Sequence, residues 1–335
     1  VSTPGLVIGL GTTACGVVGQ CENTIDGRDW SDDDRRRIAF LYLDTREATA
    51  ESIPTGSSFV RLDLPSFENL QSHSPWITEC VPQLDVLERG REGALGRLAY
   101  GGLGIRYRYG DVREVINRLV RKISPISDGE TRVKVHIVCF LGGGTIGALP
   151  VLLAALSHEK AATQFEFETL IHLLEPQQNM SRNEYETYQR QLRNAYIMTQ
   201  FLRIASGATP DTPGNGNNGI PSLESGDTSY AVTVYPDRVI QAPGPHFDHA
   251  ILHRSPEDDV QVQKEYVARM ICNLVADGIG IGADWWGRHT ELMRDSTNEV
   301  DARFGSLTSR ELGILDNFFK SAADKFIQSQ WVDDN

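Results

Sequence analysis

The feature that most constrains the fold is a cluster of glycines between two apolar segments near the middle of the chain. An apolar run from Val133 to Phe140 is followed by Gly142, Gly143 and Gly144, and a second apolar run reaches Leu156. The first run predicts a strand that is buried on both faces, as in the centre of a parallel sheet. Because glycine lacks a Cβ atom, the three backbone N–H groups can converge on an anion, and the positive end of the following helix adds attraction. The cluster therefore predicts a phosphate-binding turn.

Strands and helices alternate on both sides of this cluster. Further strands are predicted at Leu6 to Gly11, Ile38 to Leu43, Gln164 to Leu173 and Tyr230 to Val234. Helices are predicted to begin at Ala14 and Asp111, to span Tyr188 to Leu202 and Val262 to Val275, and to begin again at a capping box, Thr308-x-x-Glu311. This order predicts an α/β fold of the Rossmann-like type. It has a mainly parallel sheet with helices on both faces, a long central helix and a reduced helical C-terminal part.

The glycine cluster resembles a motif of a known superfamily. The run Gly142-Gly143-Gly144-Thr145-Ile146-Gly147 is similar to the GGGTG(S/T)G loop of the tubulin/FtsZ superfamily, which follows a core strand and holds the phosphates of GTP. The loop here is one residue shorter, and Ile146 replaces a glycine. The resemblance covers roughly residues 1 to 290 and implies a protein that binds GTP or GDP together with Mg²⁺.

Several loops of that superfamily meet at one nucleotide, and this sequence offers candidates for them in the same order. The resemblance assigns nucleotide contacts to Gly9, Gly11, Thr12 and Thr13 in the first loop, Asp44 and Thr45 after the second strand, Gly90, Gly96 and Arg97 in the γ-phosphate loop, Gly142, Gly143, Gly144, Thr145 and Gly147 in the cluster, and Glu175 near the ribose.

The resemblance also assigns two residues to the base. Asn194 matches an amide on the next helix, and Asp259 matches a polar residue at the start of the long helix. A carboxylate accepts hydrogen bonds from both N1–H and the exocyclic amine of guanine, which adenine cannot reproduce. An aspartate at that place therefore favours GTP.

Catalysis is assigned to a later loop, Gly282-Ala283-Asp284-Trp285-Trp286-Gly287. By resemblance, Asp284 orients the attacking water at the site of a neighbouring copy, while Mg²⁺ neutralises the phosphates. The second acid of the family's loop is replaced by Gly287. We therefore expect GTP hydrolysis to be slow, dependent on self-association or lost, in a cytoskeletal filament protein or a nucleotide-gated scaffold. Whether the chain is an enzyme stays open at this point.

The composition limits partners and location. Asp and Glu number 45 against 32 Lys and Arg, a net charge of −13, which argues against a nucleic-acid-binding surface. The five cysteines show no zinc-binding spacing, and no apolar run is long enough to cross a membrane. We expect a cytoplasmic protein with reduced thiols, a nucleotide-binding domain at residues 1–278 and a catalytic-type loop with a short helical extension at 279–335. A Gly-, Asn- and Pro-rich insertion at 206–228 is predicted to be mobile.

Two other hypotheses use some of the same residues. Gly9-x-Gly11-x-x-Ala14 after a strand is also a dinucleotide fingerprint, with Asp44 as the ribose acid, and it would indicate an NAD(P)-binding oxidoreductase. The segment His246-x-Asp248-His249-x-x-x-His253 would place two histidines on one face if it were helical, as in a metal site. Pro243 and Pro245 indicate a loop there instead.

Overall fold

The computed structural model describes residues 4–27, 32–54, 57–65, 94, 96–124, 132–162, 164–176, 185–205, 229–244, 246–253, 260–275 and 304–305. The strands are β1 (Gly5–Leu10), β2 (Ile38–Asp44), β3 (Ser58–Arg61), β4 (Arg132–Phe140), β5 (Glu166–Leu174), β6 (Tyr230–Val234), β7 (Arg238–Ala242), β8 (His249–His253) and β9 (Phe304–Gly305). The helices are α1 (Thr12–Asp26), α2 (Asp32–Arg36), α3 (Ala48–Ser52), α4 (Leu98–Tyr107), α5 (Tyr109–Ile123), α6 (Leu149–Ala162), α7 (Tyr185–Ala205) and α8 (Val260–Val275), with a 3₁₀ turn at Thr145–Ala148.

The main sheet has seven strands in the order β3-β2-β1-β4-β5-β8-β9, and every neighbouring pair is parallel. The predicted α/β class with a parallel sheet is therefore confirmed. Strands β2 and β3 extend from one side of β1, and β4 lies on its other side. The order in which successive strands are added to the sheet therefore reverses between β1 and β4. Leu10 at the end of β1 is level with Leu43 on β2 and Cys139 on β4, so the loops that follow these strands emerge together.

Helices cover both faces of the sheet. On one face, α5, α6 and α7 pack on β1, β4 and β5 through residues such as Ile116, Leu152 and Met198. On the other face, α1 and α8 pack together over the same strands through residues such as Val18 and Ile271. The alternation of β4 places Ile137 against the first group and Val138 against the second, and both are 0% exposed. The prediction that this strand is buried on both faces is confirmed.

The predicted long helix is α8, whereas several other predicted features lie outside the described residues. These are the insertion at 206–228, most of the C-terminal extension, the last helix, and the residues Gly90, Asp259 and Asp284. The pair Phe304–Gly305 joins β8 as a short parallel strand, which the sequence pattern did not indicate. No described helix is long and apolar enough to span a membrane.

A row of three buried histidines crosses the sheet beneath α8. His136 on β4, His172 on β5 and His253 on β8 are stacked, with 3.1 Å between His136 Nδ1 and His172 Nε2 and 3.1 Å between His172 Nδ1 and His253 Nε2. A neutral imidazole has one N–H, so every bond in the row must point the same way. His136 Nε2 is buried and has no hydrogen-bond partner among the residues that the structure describes. We therefore assign the N–H to Nδ1 of each ring, which leaves a lone pair rather than an unpaired N–H at the end of the row.

The histidine segment that suggested a metal site adopts another structure. His249 and His253 belong to strand β8, so the helical spacing that would bring their rings together is not formed. Four residues along a strand separate two side chains by roughly 13 Å. His253 belongs to the histidine row, and His246 lies beside Ser157 and the ring of Tyr230. Within the described part of the chain, no group of three or more His, Cys, Asp or Glu side chains is placed to hold a metal ion.

Candidate nucleotide-binding site

A cleft of about 350 Å³ lies where β1, β2 and β4 end, at the point where the strand order reverses. This volume is in the range of small-molecule sites, and an open α/β sheet binds its ligands at this position. The walls come from the loops after the three strands, from the segment before α4 and from the first turns of α7. They are formed by Leu10, Gly11, Thr12, Thr13, Asp44, Thr45, Arg46, Ala94, Gly96, Phe140, Gly142, Gly143, Gly144, Thr145, Ile146, Thr187, Arg190 and Gln191.

Two helical N-termini open onto the cleft without side-chain caps. Helix α1 begins after Gly11, and no side chain caps it and no acidic residue lies in its first turn. The 3₁₀ turn begins after Gly144, again without a side-chain cap. Gly11 has φ 92°, a conformation that favours glycine, and a Cβ built on it would lie 3.1 Å from Thr145 Cβ. The N–H groups at the very start of both turns, such as those of Thr12 and Thr145, therefore have no side-chain cap among the described residues, whereas that of Gly147 donates to Gly144.

Asp44 is the buried centre of the site. One oxygen of its carboxylate, Oδ2, accepts hydrogen bonds from Thr12 (2.6 Å) and Thr49 (2.5 Å). The other, Oδ1, accepts from the backbone N–H of Thr45 (2.7 Å) and from the hydroxyl of Thr145 (3.1 Å). A carboxylate has about four acceptor positions, and all of them are used. Asp44 thus ties the loops after β1, β2 and β4 to one another.

Further hydrogen bonds hold the loops of the cleft to one another and to α7. The hydroxyl of Thr45 accepts from the N–H of Ala94 at 2.8 Å. Asn194 Nδ2 on α7 lies 2.7 Å from the carbonyl oxygen of Gly96, 3.1 Å from that of Gly142 and 3.3 Å from that of Gly143. The amide of Asn194 therefore faces the rear of the glycine cluster and joins it to the segment before α4.

Helix α4 packs on the glycine cluster and on the segment after β3 through glycines. A Cβ built on Gly101 would lie 2.5 Å from the carbonyl oxygen of Gly144, and one on Gly104 would lie 2.3 Å from that of Leu62. Contacts this short require glycine because backbone atoms cannot rotate away. The helix thus packs backbone to backbone on the glycine cluster.

The structure brings ten of the sequence-predicted residues to the cleft wall: Gly11, Thr12, Thr13, Asp44, Thr45, Gly96, Gly142, Gly143, Gly144 and Thr145. Five others lie behind or beside it. Gly9 packs under α1, and Gly147 packs on Leu98. Arg97 precedes α4 and donates its N–H to Ala94, and Glu175 donates its N–H to His253. Asn194 is the fifth. Gly90, Asp259 and Asp284 lie outside the described residues.

Sequence reasoning missed three cleft residues at the start of α7 and one arginine after β2. Thr187, Arg190 and Gln191 line the cleft from the start of α7, and Arg46 lines it directly after Thr45. Arg190 and Gln191 precede Asn194 by four and three residues, so they lie on the same helical face. Once Asn194 was assigned to the site, this spacing was the signal that pointed to both.

We expect Asp44→Asn to lower the free energy of unfolding by roughly 3 kcal/mol, because an amide N–H₂ would face hydroxyl and N–H donors in place of one acceptor oxygen. Urea unfolding measures the change. Asp33→Asn is the matched control, since the Asp33 side chain is 89% exposed and its loss should cost no more than about 0.5 kcal/mol. Equal stabilities of the two variants would contradict the central role of Asp44.

Comparison with known proteins gives structural matches only. No family model matches the sequence, and no curated protein matches it. CetZ2 from Haloferax volcanii, solved as a GTPγS-bound protofilament, is 15% identical with a TM-score of 0.45 over 83% of this chain and 60% of that chain. CetZ from Methanosaeta thermophila is 9% identical with a TM-score of 0.43 over 86% and 58%. TubZ from Bacillus thuringiensis serovar israelensis, in GDP-form protofilaments, is 12% identical with a TM-score of 0.42 over 81% and 54%.

The chain spans between half and two thirds of the length of these three proteins. The likeness to these three structures concerns the fold alone.

Proposed function

We propose that the chain binds GTP or GDP in the cleft at the ends of β1, β2 and β4. The observation that carries the proposal is the meeting of two uncapped helical N-termini and the glycine cluster in one cleft at the strand-order reversal. Backbone N–H groups and helix dipoles at such a place favour phosphate groups.

The charges around the cleft support a polyphosphate ligand. Although the chain has a net charge of −13, Arg46 and Arg190 line the cleft. The Asp44 carboxylate lies behind the threonine hydroxyls and is 1% exposed. The cleft therefore presents backbone N–H donors and the guanidinium group of Arg46 to a ligand, and these groups match phosphate oxygens.

The choice of guanine in the proposal comes from the sequence resemblance. Asp259 would accept from N1–H and the exocyclic amine of the base. The contacts of Asn194 support a different role for this residue, because its amide N–H₂ already donates to loop carbonyls. In the proposal Asn194 therefore holds the loops in place and Asp259 reads the base.

Among the described residues of the cleft wall, no carboxylate oxygen is left unused to hold the Mg²⁺ ion that the resemblance implies. Asp44 is the carboxylate of that wall, and its acceptor positions are filled by four donors. Mg²⁺ in nucleotide sites is often held mainly by phosphates and water. The ion would therefore enter with the nucleotide.

The same hydrogen bonds argue against the dinucleotide hypothesis. An NAD(P) site of this type uses the acid after the second strand to accept from a ribose hydroxyl. Asp44 occupies that place, but its oxygens are engaged by Thr12, Thr49, Thr145 and the N–H of Thr45. It is therefore not available to a ribose, and the oxidoreductase hypothesis is not favoured.

Thermal unfolding with GTP, GDP, ATP and NAD, each with Mg²⁺, tests the proposal. A guanine nucleotide at about 100 times its dissociation constant should stabilise the fold by about 2.7 kcal/mol and raise Tm by roughly 5 °C. ATP and NAD should leave Tm unchanged. A shift with NAD alone, or no shift with any of the four, would contradict GTP binding.

We expect Arg46→Ala to weaken GTP binding about tenfold, because one charge-assisted bond to phosphate is lost. Arg46 is exposed, so the fold should not change. Titration calorimetry measures the affinity for GTP and, in parallel, for guanosine, which lacks phosphates and should bind both forms equally. Arg118→Ala on the exposed face of α5 is the control and should bind GTP like the parent. An unchanged GTP affinity in Arg46→Ala would remove this residue from the phosphate site.

We further propose that turnover depends on self-association, with Asp284 supplied to the site of a neighbouring copy. The support is the likeness of the loop around Asp284 to the catalytic loop of the superfamily. Phosphate release per molecule should then rise with protein concentration, and Asp284→Ala should abolish release while GTP still raises Tm. A specific activity that is independent of concentration would contradict the dependence on assembly.

A further inference from the structure

Two cysteines meet where α1 packs on α8. Cys21 Sγ and Cys272 Sγ lie 3.1 Å apart, and Cys272 Sγ also lies 3.5 Å from the backbone oxygen of Cys21. Both side chains are thiols and are 0% exposed. A disulfide has an S–S distance of about 2.05 Å. The two sulfurs therefore need to approach by only about 1 Å to form a covalent bond.

The other described cysteines lie in different surroundings. Cys15 Sγ lies 3.5 Å from the carbonyl oxygen of Gly9, and Cys139 Sγ lies 3.8 Å from that of His172. Cys139 is part of the core on the opposite face of the sheet from the pair. The geometry therefore selects Cys21 and Cys272 over the other described thiols.

We propose that Cys21 and Cys272 form a site of oxidative modification, at which hydrogen peroxide converts the two thiols to a disulfide between α1 and α8. One thiolate attacks the peroxide O–O bond, becomes a sulfenic acid and releases hydroxide. The second thiol then attacks the sulfenic sulfur and expels its oxygen as water. In total, two thiols and one hydrogen peroxide give one disulfide and two waters.

Burial makes the reaction slow but selective. Both sulfurs are enclosed, so the thiolate forms when α1 and α8 part locally and admit solvent. Hydrogen peroxide is small enough to reach a narrow opening. When the helices close again, the sulfenic acid lies beside the second thiol, and disulfide formation is faster than further oxidation.

The disulfide would join two distant parts of the chain. Cys21 and Cys272 are 251 positions apart, and a cross-link that closes so long a loop removes much of the conformational freedom of the unfolded chain. We expect it to raise Tm by roughly 5–10 °C. Helix α1 also begins at Thr12 in the wall of the cleft, so the cross-link connects this wall to α8.

Peptide mapping of the full chain tests the site directly. The protein is treated with hydrogen peroxide, its remaining thiols are alkylated in denaturant, and its peptides are analysed by mass spectrometry. We expect a linked pair of peptides containing Cys21 and Cys272, and a higher Tm that dithiothreitol reverses. Recovery of both residues as alkylated thiols, as sulfinic acids or in disulfides with other cysteines would overturn the proposal.

Variants add a second check. Cys139→Ser keeps both thiols of the pair and should form the linked peptides, whereas Cys21→Ser should lose both the linkage and the rise in Tm. Cys272→Ala removes the other sulfur and should give the same loss, which covers the case in which Cys21→Ser does not fold. A peroxide-dependent rise in Tm that persists in either variant of the pair would contradict the assignment.

Discussion

Replacing Gly147 with alanine is expected to lower the free energy of unfolding by about 3 kcal/mol and to abolish the proposed binding of a nucleotide. A Cβ built on Gly147 would lie 2.0 Å from the carbonyl oxygen and 2.7 Å from the carbonyl carbon of Leu98. Neither atom can move by side-chain rotation, so the backbone at the start of α4 must shift. That backbone continues from Gly96 in the cleft wall, and the strain would therefore reach the site.

Gly110 offers a matched control for this substitution. It lies in α5, and a Cβ built on it would have no atom within 4 Å. Gly110→Ala should therefore stabilise the protein by up to about 1 kcal/mol, because alanine restricts the unfolded chain and favours a helix. Urea unfolding gives both stabilities, and GTP titration of the folded variants gives the affinities. A Gly147→Ala protein that is as stable as Gly110→Ala and binds GTP would show that the contact with Leu98 is not restrictive.

Gly147 also shows where the sequence resemblance stops being informative. The motif assigned all the glycines of the cluster to the nucleotide, yet Gly147 packs on Leu98 and Gly144 lies both in the cleft wall and against the segment before α4. Contacts of this kind join residues that are far apart in the chain. A local pattern identifies a glycine that needs space, but it does not identify what fills that space.

The framework of the site was predictable for a simple physical reason. Apolar runs located β1, β2, β4 and β5, and the carboxyl ends of neighbouring parallel strands meet at one edge of a sheet. The loops around Gly11, Asp44 and Gly143 were therefore expected to meet, and they do. Thr49 was missed because its bond to Asp44 depends on how α3 folds back onto the loop after β2.

The histidine row could not be predicted from the sequence. Alternation showed that His136 and His172 lie in apolar strands, but not that their rings touch. That contact depends on strand order and register: His136 is level with Leu170, and His172 with Ile251 on β8. Both are long-range properties of the sheet. The row nevertheless places three buried titratable side chains in direct contact.

This row should make the protein unstable in mild acid. Burial lowers the pKa of His136 to about 3 and that of His253 to about 4, and the pKa of His172 lies well below its ordinary value through burial and the neighbouring rings. Lys134 lowers the pKa of His136 further. In the unfolded chain each histidine binds a proton near pH 6.5. The stability that the three neutral histidines contribute is thus fully present above pH 6.5, and it is lost as the pH falls towards their pKa values in the folded protein.

The expected loss is large because three groups act together. Once the histidines of the unfolded chain are protonated, each one lowers the free energy of unfolding by about 1.4 kcal/mol for every unit by which the pH falls. The row should therefore lower the free energy of unfolding by about 6 kcal/mol between pH 8 and pH 5. Glu22 acts in the opposite direction, because burial raises the pKa of its carboxyl group and acid then favours the folded state. This single carboxyl group offsets only part of the loss of stability that the three histidines cause.

Urea unfolding at intervals from pH 8 to pH 5 measures this dependence. The His136→Leu variant should retain two thirds of the slope, since it removes one proton-binding group and leaves only a lone pair on His172 without a partner. Val239→Ala is the control, because Val239 is exposed on β7, lies outside the row and carries no titratable group, so its slope should equal that of the parent. If the free energy of unfolding stays constant down to pH 5, the three rings must accept protons in the folded protein, and a neutral, one-directional row would be excluded.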